Sequence, residues 1–583
     1  MKVRLPVLVN DPEVAQYKDI PPVDWFTVEG EDVFLDGPVC RRVAVVDFDP
    51  DSGALVPGAR LSDNGGVAKY DLPPGPPLDH PAFIQASVCG GIFRTLDIFE
   101  EADSLGRRVK WAFPGEQLLV VPRAGEWGNA FYERASRSLQ LFYVTEPHRR
   151  VYAAHSQDII AHETAHAILD AVAPDLYDAV LPQSLAIHEA VADIAMLLSA
   201  FRSRKLTDRV REHVGDALER PNAFTQVAEQ FGAVVGRGTG GIRDLNNTRT
   251  LAEVDATSPH ALSEVLSGAL YSVMVRIHRE LLDATVEESV PATSLASPAE
   301  YRQAAPAPET PAAPHPADGS RVKIGRQRAF WIAAERFKRT VLRTLDYLPP
   351  GEASFVDFGR ALLASDEASH PDSGEQRDWL REEFVRRGIV ADGAQLDVPR
   401  DFDHAAVRGL DLDELVRSDW LAYRFGERNR ELLGVPPRTP FEVRDRLDVT
   451  KQYYHRQGEG RSLVRECLLK VAWTELEESG VGRGLPRRRR VVRGTTLAIR
   501  WPDAGSREKP AIRAIVTSRR APGDALERDR FLARMFDEGR LRLGADACAP
   551  DGSPLRGVVR GELDGGALRV RATARALHAI PEV

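Results

Sequence analysis

The stretch Ser156–Phe201 constrains this chain more than any other. It contains His162-Glu163-Thr164-Ala165-His166, two histidines at i and i+4 with an acid beside the first. On an α-helix that spacing stacks two imidazoles on one face, about one turn apart, within reach of a single metal ion. Ile159, Ile160, Ala165, Ile168 and Leu169 supply the apolar positions of such a helix, and Pro174 marks its end. Taken alone, the pentapeptide could be an ordinary charged helix face. A catalytic zinc takes three protein ligands and keeps one position for water, so a third ligand must follow on a separate element. Glu189 is the candidate, at the start of a second apolar helical stretch, with Asp193 at i+4 on the same face. A turn from Pro174 to Pro182 can bring Glu189 back to the metal, and Asp193 is placed to accept the remaining N–H of a ligand histidine. Polar groups along buried helices are costly without partners, and one zinc ion on His162, His166 and Glu189 provides one.

At this point the chain resembles the thermolysin-like metallopeptidases, gluzincins that hold zinc on two histidines and a glutamate. Gly128-Asn129-Ala130-Phe131-Tyr132 is similar to the family's N-A-F-W segment, whose edge strand holds the substrate backbone by strand addition. Asp158 also matches, and Tyr177 falls where the family has its active-site tyrosine. Asp255 and His260, followed by Tyr271, reproduce the family's Asp and His; Ile242-Arg243-Asp244 resembles its Leu-Arg pair at the specificity pocket. The matches span residues 80 to 390.

The resemblance implies a catalytic mechanism. Zinc lowers the pKa of water and polarises the scissile carbonyl. Glu163 takes the water's proton and passes it to the leaving amine. His260 and Tyr177 donate hydrogen bonds to the oxyanion, with Asp255 holding the His260 ring. Arg243, Asn129 and Ala130 hold the peptide main chain. Ile159 and Ile242 line a pocket that prefers a bulky apolar residue just after the cut. The implied fold is α+β with two lobes: a β-rich N-terminal lobe over residues 1–150 and a mainly helical lobe over 151–392, the zinc helix lying between.

Three departures qualify the match. His188 stands before the ligand glutamate where the family has Asn, which changes nothing if only its carbonyl matters. Tyr132 replaces the family's Trp. The acidic calcium loops are missing, because the segment before Asp158 holds few carboxylates and the stretch 200–211 is basic. Calcium needs several oxygen ligands, so none is expected at that site.

Composition narrows the setting. The chain of 583 residues carries a net charge of −9, which argues against nucleic-acid binding. Cys40, Cys89, Cys467 and Cys548 show no metal or redox spacing and read as buried thiols in a reducing compartment. The start M-K-V-R-L-P-V-L-V-N-D-P lacks a signal-peptide pattern, and no uninterrupted apolar run is long enough to span a membrane. The expectation is a cytoplasmic enzyme without the propeptide of the secreted relatives.

The other segments supply the frame. Short strands and turns run to about residue 78, Ala82–Ala102 reads as a helix, and Leu118–Val121 as a buried strand. Gly236–Gly241 contains G-x-G-x-x-G, but without a preceding strand it reads as a loop. Ser263–Leu282 is helical in period, and 286–321 is a Pro/Ala-rich mobile insertion. Helices resume at Gln327–Thr344, Phe355–Leu363 and Gln376–Arg387, with Gly388 as cap. Residues 393–583 lie outside the resemblance. They read as a helical segment at 393–480, including Leu410–Leu433 and Ser462–Ser479, followed by a small antiparallel β module at 481–583 where a protein partner could dock. The Arg487–Arg490 run reads as a solvated linker.

The expected activity is zinc-dependent endopeptidase cleavage of peptides or proteins, since the amine-binding G-x-M-x-N segment of exopeptidase gluzincins is missing. The rival is a non-catalytic zinc-containing scaffold, which would need neither Glu163, Tyr177 nor His260.

Overall fold

A computed structural model of the chain describes residues 2–574, apart from 10–21, 226–243, 288–320, 455–460, 503–507, 548–557 and positions 31, 64, 76, 221, 284, 324, 372 and 373. Ile242, Arg243, the Gly236–Gly241 loop, Cys548 and nearly all of the 286–321 insertion therefore lie outside the described residues. The fold is mixed α+β.

Two small sheets form the N-terminal part. The first pairs β1 (Lys2–Leu8), β2 (Val23–Glu29), β4 (Leu61–Asp63) and β5 (Ala68–Tyr70) in the order β2-β1-β5-β4. The second pairs β3 (Val43–Val45), β6 (Leu118–Val121), β7 (Ala130–Glu133) and β8 (Ser138–Leu141) in the order β3-β6-β8-β7. β7 is thus an edge strand, antiparallel to β8 through Ala130↔Leu141 and Glu133↔Ser138. α1 (Pro81–Glu100) packs on β1, and a hairpin of β9 (Tyr143–Glu146) and β10 (Arg149–Tyr152) leads into the metal-site helices.

α2 (Gln157–Val172) is buried nearly all round, as expected of a core helix. Ser156 caps it by accepting from Ile159 N, and Asp158 places negative charge in its first turn. Val172 ends it, and Pro174 begins the one-turn α3 (Pro174–Tyr177). α4 (Pro182–Phe201) starts with proline at its first position, where a missing N–H costs nothing, and packs along α2. α5 (Arg204–Val214), α6 (Pro259–Asp283), α7 (Arg326–Tyr347), α8 (Phe355–Ser369) and α9 (Gly374–Arg386) complete the helical part, with a short pair of β11 (Thr285–Glu287) and β12 (Arg321–Lys323). α1 and α4 are long and apolar enough to cross a membrane, but 89% and 100% of their apolar windows are buried inside the protein, which accounts for their composition as core helices.

The C-terminal region departs from expectation. Ser462–Ser479 is not a helix; it lies in β15 (Arg461–Glu478), paired on both sides by β14 (Phe441–Tyr454) and β16 (Arg488–Arg500). One sheet runs through β13 (Arg400–Phe402), β14 to β16, β17 (Ala511–Thr517), β18 (Leu541–Leu543), β19 (Val559–Asp564) and β20 (Ala567–Val570), so no boundary falls at residue 480. Nor is the sheet wholly antiparallel, since β16–β20 and β18–β19 run parallel. Among the described residues, α-helix appears there as α10 (Leu412–Arg417), α11 (Asp419–Arg428) and an unforeseen α12 (Asp524–Asp537). The Arg487–Arg490 run is not a linker. Its last three residues open β16, and Arg489 is buried against Glu477 and Asp529.

Strand alternation explains how this region attaches. Cys467, Leu469, Val471 and Trp473, with Leu497 and Ile499, face a core closed by α10 and α11. The alternate residues Leu468 and Ala498 belong to the main core, the one that contains Ile168 of α2. Burial on both faces of β15 makes a continuous apolar run, which is why it reads as a helix in sequence.

Gly351 marks a close approach between the two parts. Its φ is +94°, and a Cβ there would stand 2.3 Å from Val492 O on β16. Gly351→Ala should therefore cost about 2–3 kcal/mol, from strain and overlap together. Gly388→Ala, also at positive φ (+70°) but with open space around it, should cost only about 1 kcal/mol. Denaturant unfolding of the two variants checks this, and equal losses would contradict the tight seam at Gly351.

Candidate metal centre

The i, i+4 spacing on α2 brings His162 and His166 together, with Nε2 atoms 3.0 Å apart. α4 returns Glu189 to the same point, Oε2 lying 3.6 Å from His162 Nε2 and Oε1 3.6 Å from His166 Nε2. A tetrahedral zinc with ligand bonds of about 2.0–2.1 Å sets its ligands roughly 3.4 Å from one another. The three donors fit that figure. All three residues are nearly inaccessible, at 5%, 2% and 0% exposure, and together they form a group that could hold a metal ion.

Each histidine has a partner for its other nitrogen. His162 Nδ1 lies 3.1 Å from Asp193 Oδ1, within ion-pair distance. His166 Nδ1 lies 2.7 Å from His188 Nδ1, and the two rings stack at 4.7 Å with an interplanar angle of 8°. The His188 side chain therefore matters, not just its carbonyl. A metal on His166 Nε2 would leave its Nδ1–H to donate to His188 Nδ1. Sequence reasoning passed over this role, although a histidine flanked by Ile187 and the ligand on a buried helix was its signal.

Glu163 is 3% exposed, and its Oε2 accepts the Tyr132 N–H of edge strand β7 at 3.0 Å. Neighbouring outward donors on β7 are also engaged: Ala130 N by Asn129 Oδ1 at 2.8 Å, and Arg134 N by the Tyr177 hydroxyl at 3.4 Å. Tyr177 lies between Tyr132 and His188, beneath the Arg134 guanidinium. Burial, then the nearby Asp170 carboxylate, hold its phenol well above the usual range, so it stays protonated. Asp170, fully buried on α2, accepts the Tyr132 hydroxyl at 2.8 Å and pairs with Arg134, locking β7 to the zinc helix. Ile159 is buried in the first turn of α2, on the face that carries His162 and Glu163.

His260 comes to the group from α6, with Nε2 3.3 Å from Glu189 Oε2. The expected Asp255–His260 pair is not formed. Asp255 is half exposed, and its carboxylate accepts from Thr257 N at 2.8 Å, Thr257 Oγ1 at 2.7 Å and Arg534 Nη1 at 2.8 Å. Tyr271 is buried, its hydroxyl donating to Leu218 O at 2.8 Å.

A second acidic group, Glu101, Asp103 and Glu335, does not need a metal. The Lys338 ammonium stands among these carboxylates, 3.0 Å from Asp103 and 2.5 Å from Glu335, with Glu101 also in contact. A cavity of about 330 Å³ lies past the end of β7, between Arg134, Asp178 and Val180 and the C-terminal residues Arg490 and Arg569; the metal group is not part of its lining.

Removing the acceptor while keeping the ring, as in His188→Phe, should weaken zinc retention roughly tenfold to a hundredfold. Competition with a chromogenic chelator measures it, and unchanged retention would exclude His188 as the partner of His166. No protein-family model and no curated protein matches the chain.

Proposed function

We propose that the protein is a zinc-dependent endopeptidase of the thermolysin-like, two-lobed kind. The observation that carries this reading is the placement of Glu163: an acid that is not a ligand, next to a three-donor metal group and oriented by the edge strand. A scaffold protein with a structural zinc would need four closed ligands and no such acid.

Zinc held by His162, His166 and Glu189 would supply Lewis acidity, making water acidic and the carbonyl electrophilic. The remaining work belongs to the chain. Glu163, its Oε2 held by Tyr132 N–H, accepts one proton from the attacking water and delivers it to the amine as the C–N bond breaks. Water and one peptide bond thus give a carboxylate product and an amine. His260 is the donor beside the group for a developing oxyanion, and Tyr177 is the proposed second donor. Asp193 and His188 hold the ligand imidazoles in place. β7 supplies the edge against which an extended peptide aligns.

The expected substrate is a peptide or protein, with a bulky apolar residue after the cut, and Asn129, Arg243 and Ile242 remain the proposed substrate contacts. The pairing of Asp255 with His260 is no part of this mechanism.

Quenched-peptide or casein hydrolysis tests the reading. The wild-type protein loaded with zinc should cleave internal bonds and lose activity to a chelator. Glu163→Gln should retain one zinc per chain, yet lose about 10² to 10⁴ in rate. Equal rates for the two proteins, or none for the wild type, would reject it.

A further inference from the structure

Helix α12 of the C-terminal region touches both connections that flank the metal group. Arg534 reaches the turn before α6, with Nη1 2.8 Å from Asp255 Oδ2 and 3.0 Å from Thr257 Oγ1. That turn is closed on itself, since Thr257 N and Oγ1 both donate to Asp255 Oδ1 and Ser258 N donates to Asp255 O at 3.0 Å. His260 follows in the first turn of α6, where backbone N–H groups lack helical partners and the preceding turn sets the position.

On the other side, Arg528 is fully buried and donates to Glu352 Oε2 at 2.5 Å, while Glu352 Oε1 accepts Val180 N at 2.7 Å. Val180 lies between Tyr177 and α4. Glu527 accepts from Gln183 Nε2 at 3.1 Å, in the first turn of the helix that carries Glu189. One helix from outside the expected peptidase segment thus grips the approaches to His260, Tyr177 and Glu189 together.

We infer that α12 is a working part of the metal site and that Arg534 is a positioning residue, holding the Asp255–Ser258 turn so that His260 stands beside the metal group. The inference rests on the peptidase reading and deepens it: turnover depends on residues 524–537. The Arg534–Asp255 bridge is 40% and 54% exposed, so its contribution to global stability is small. Its contribution to geometry is not, because a shift of about 1 Å in a reacting group can cost as much as a hundredfold in rate.

The test uses the full chain, loaded with zinc, and a quenched peptide. Arg534→Ala and Asp255→Ala should each lower kcat about tenfold, with KM within about twofold, and with zinc content and melting temperature like the wild type. The double variant should be no worse than Asp255→Ala alone, because the bridge is already lost there. Wild-type kcat in Arg534→Ala, or additive losses in the double variant, would overturn the inference. Where the wild type cleaves and Glu163→Gln does not, such a result leaves the peptidase reading standing and removes only the role of α12. If the wild type does not cleave at all, both fall.

Discussion

Three lone pairs aimed at one buried point are the constraint around which the rest is built. His162, His166 and Glu189 are nearly inaccessible, and their donor atoms are 3.0–3.6 Å apart. Such a group could hold a metal ion. The surroundings are arranged to hold it: Asp193 and His188 fix the rings from behind, and α2 and α4 are buried on nearly every side. Asp170 and Arg134 fasten the zinc helix to β7, which in turn aims Glu163.

What could be seen in the sequence was what helical periodicity fixes. Three side chains, His162, His166 and Asp193, have partners dictated by i+4 geometry and one helix–helix contact, and the structure brings them together with Glu189. The contacts that were not legible depend on residues far apart in the chain. Asp255 looked like the partner of His260 because the resemblance implies that pair, yet an arginine much further along takes its carboxylate. His188 looked incidental because its side-chain direction depends on where α4 crosses α2. Ser462–Ser479 misled for a different reason: a strand covered on both faces has lost the alternation that would have betrayed it.

The same two-sided burial changes how the molecule divides. Leu468 and Ala498 are shared with the core that contains Ile168, and Tyr347 on α7 donates to the buried Glu466 of β15 at 2.8 Å. A boundary near residue 392 is therefore a boundary in resemblance, not in packing. Cutting there would expose one face of a central sheet, so loss of activity on truncation would say nothing about regulation.

The arrangement along β7 has one more consequence. Ala130, Tyr132 and Arg134 have their outward N–H groups occupied by Asn129, Glu163 and Tyr177, while strand geometry turns the carbonyls of Ala130 and Tyr132 the same way. Such a border can only accept. A chain pairing with it would have to contribute hydrogens from its own amides, and an imino acid in either facing register would have none to give.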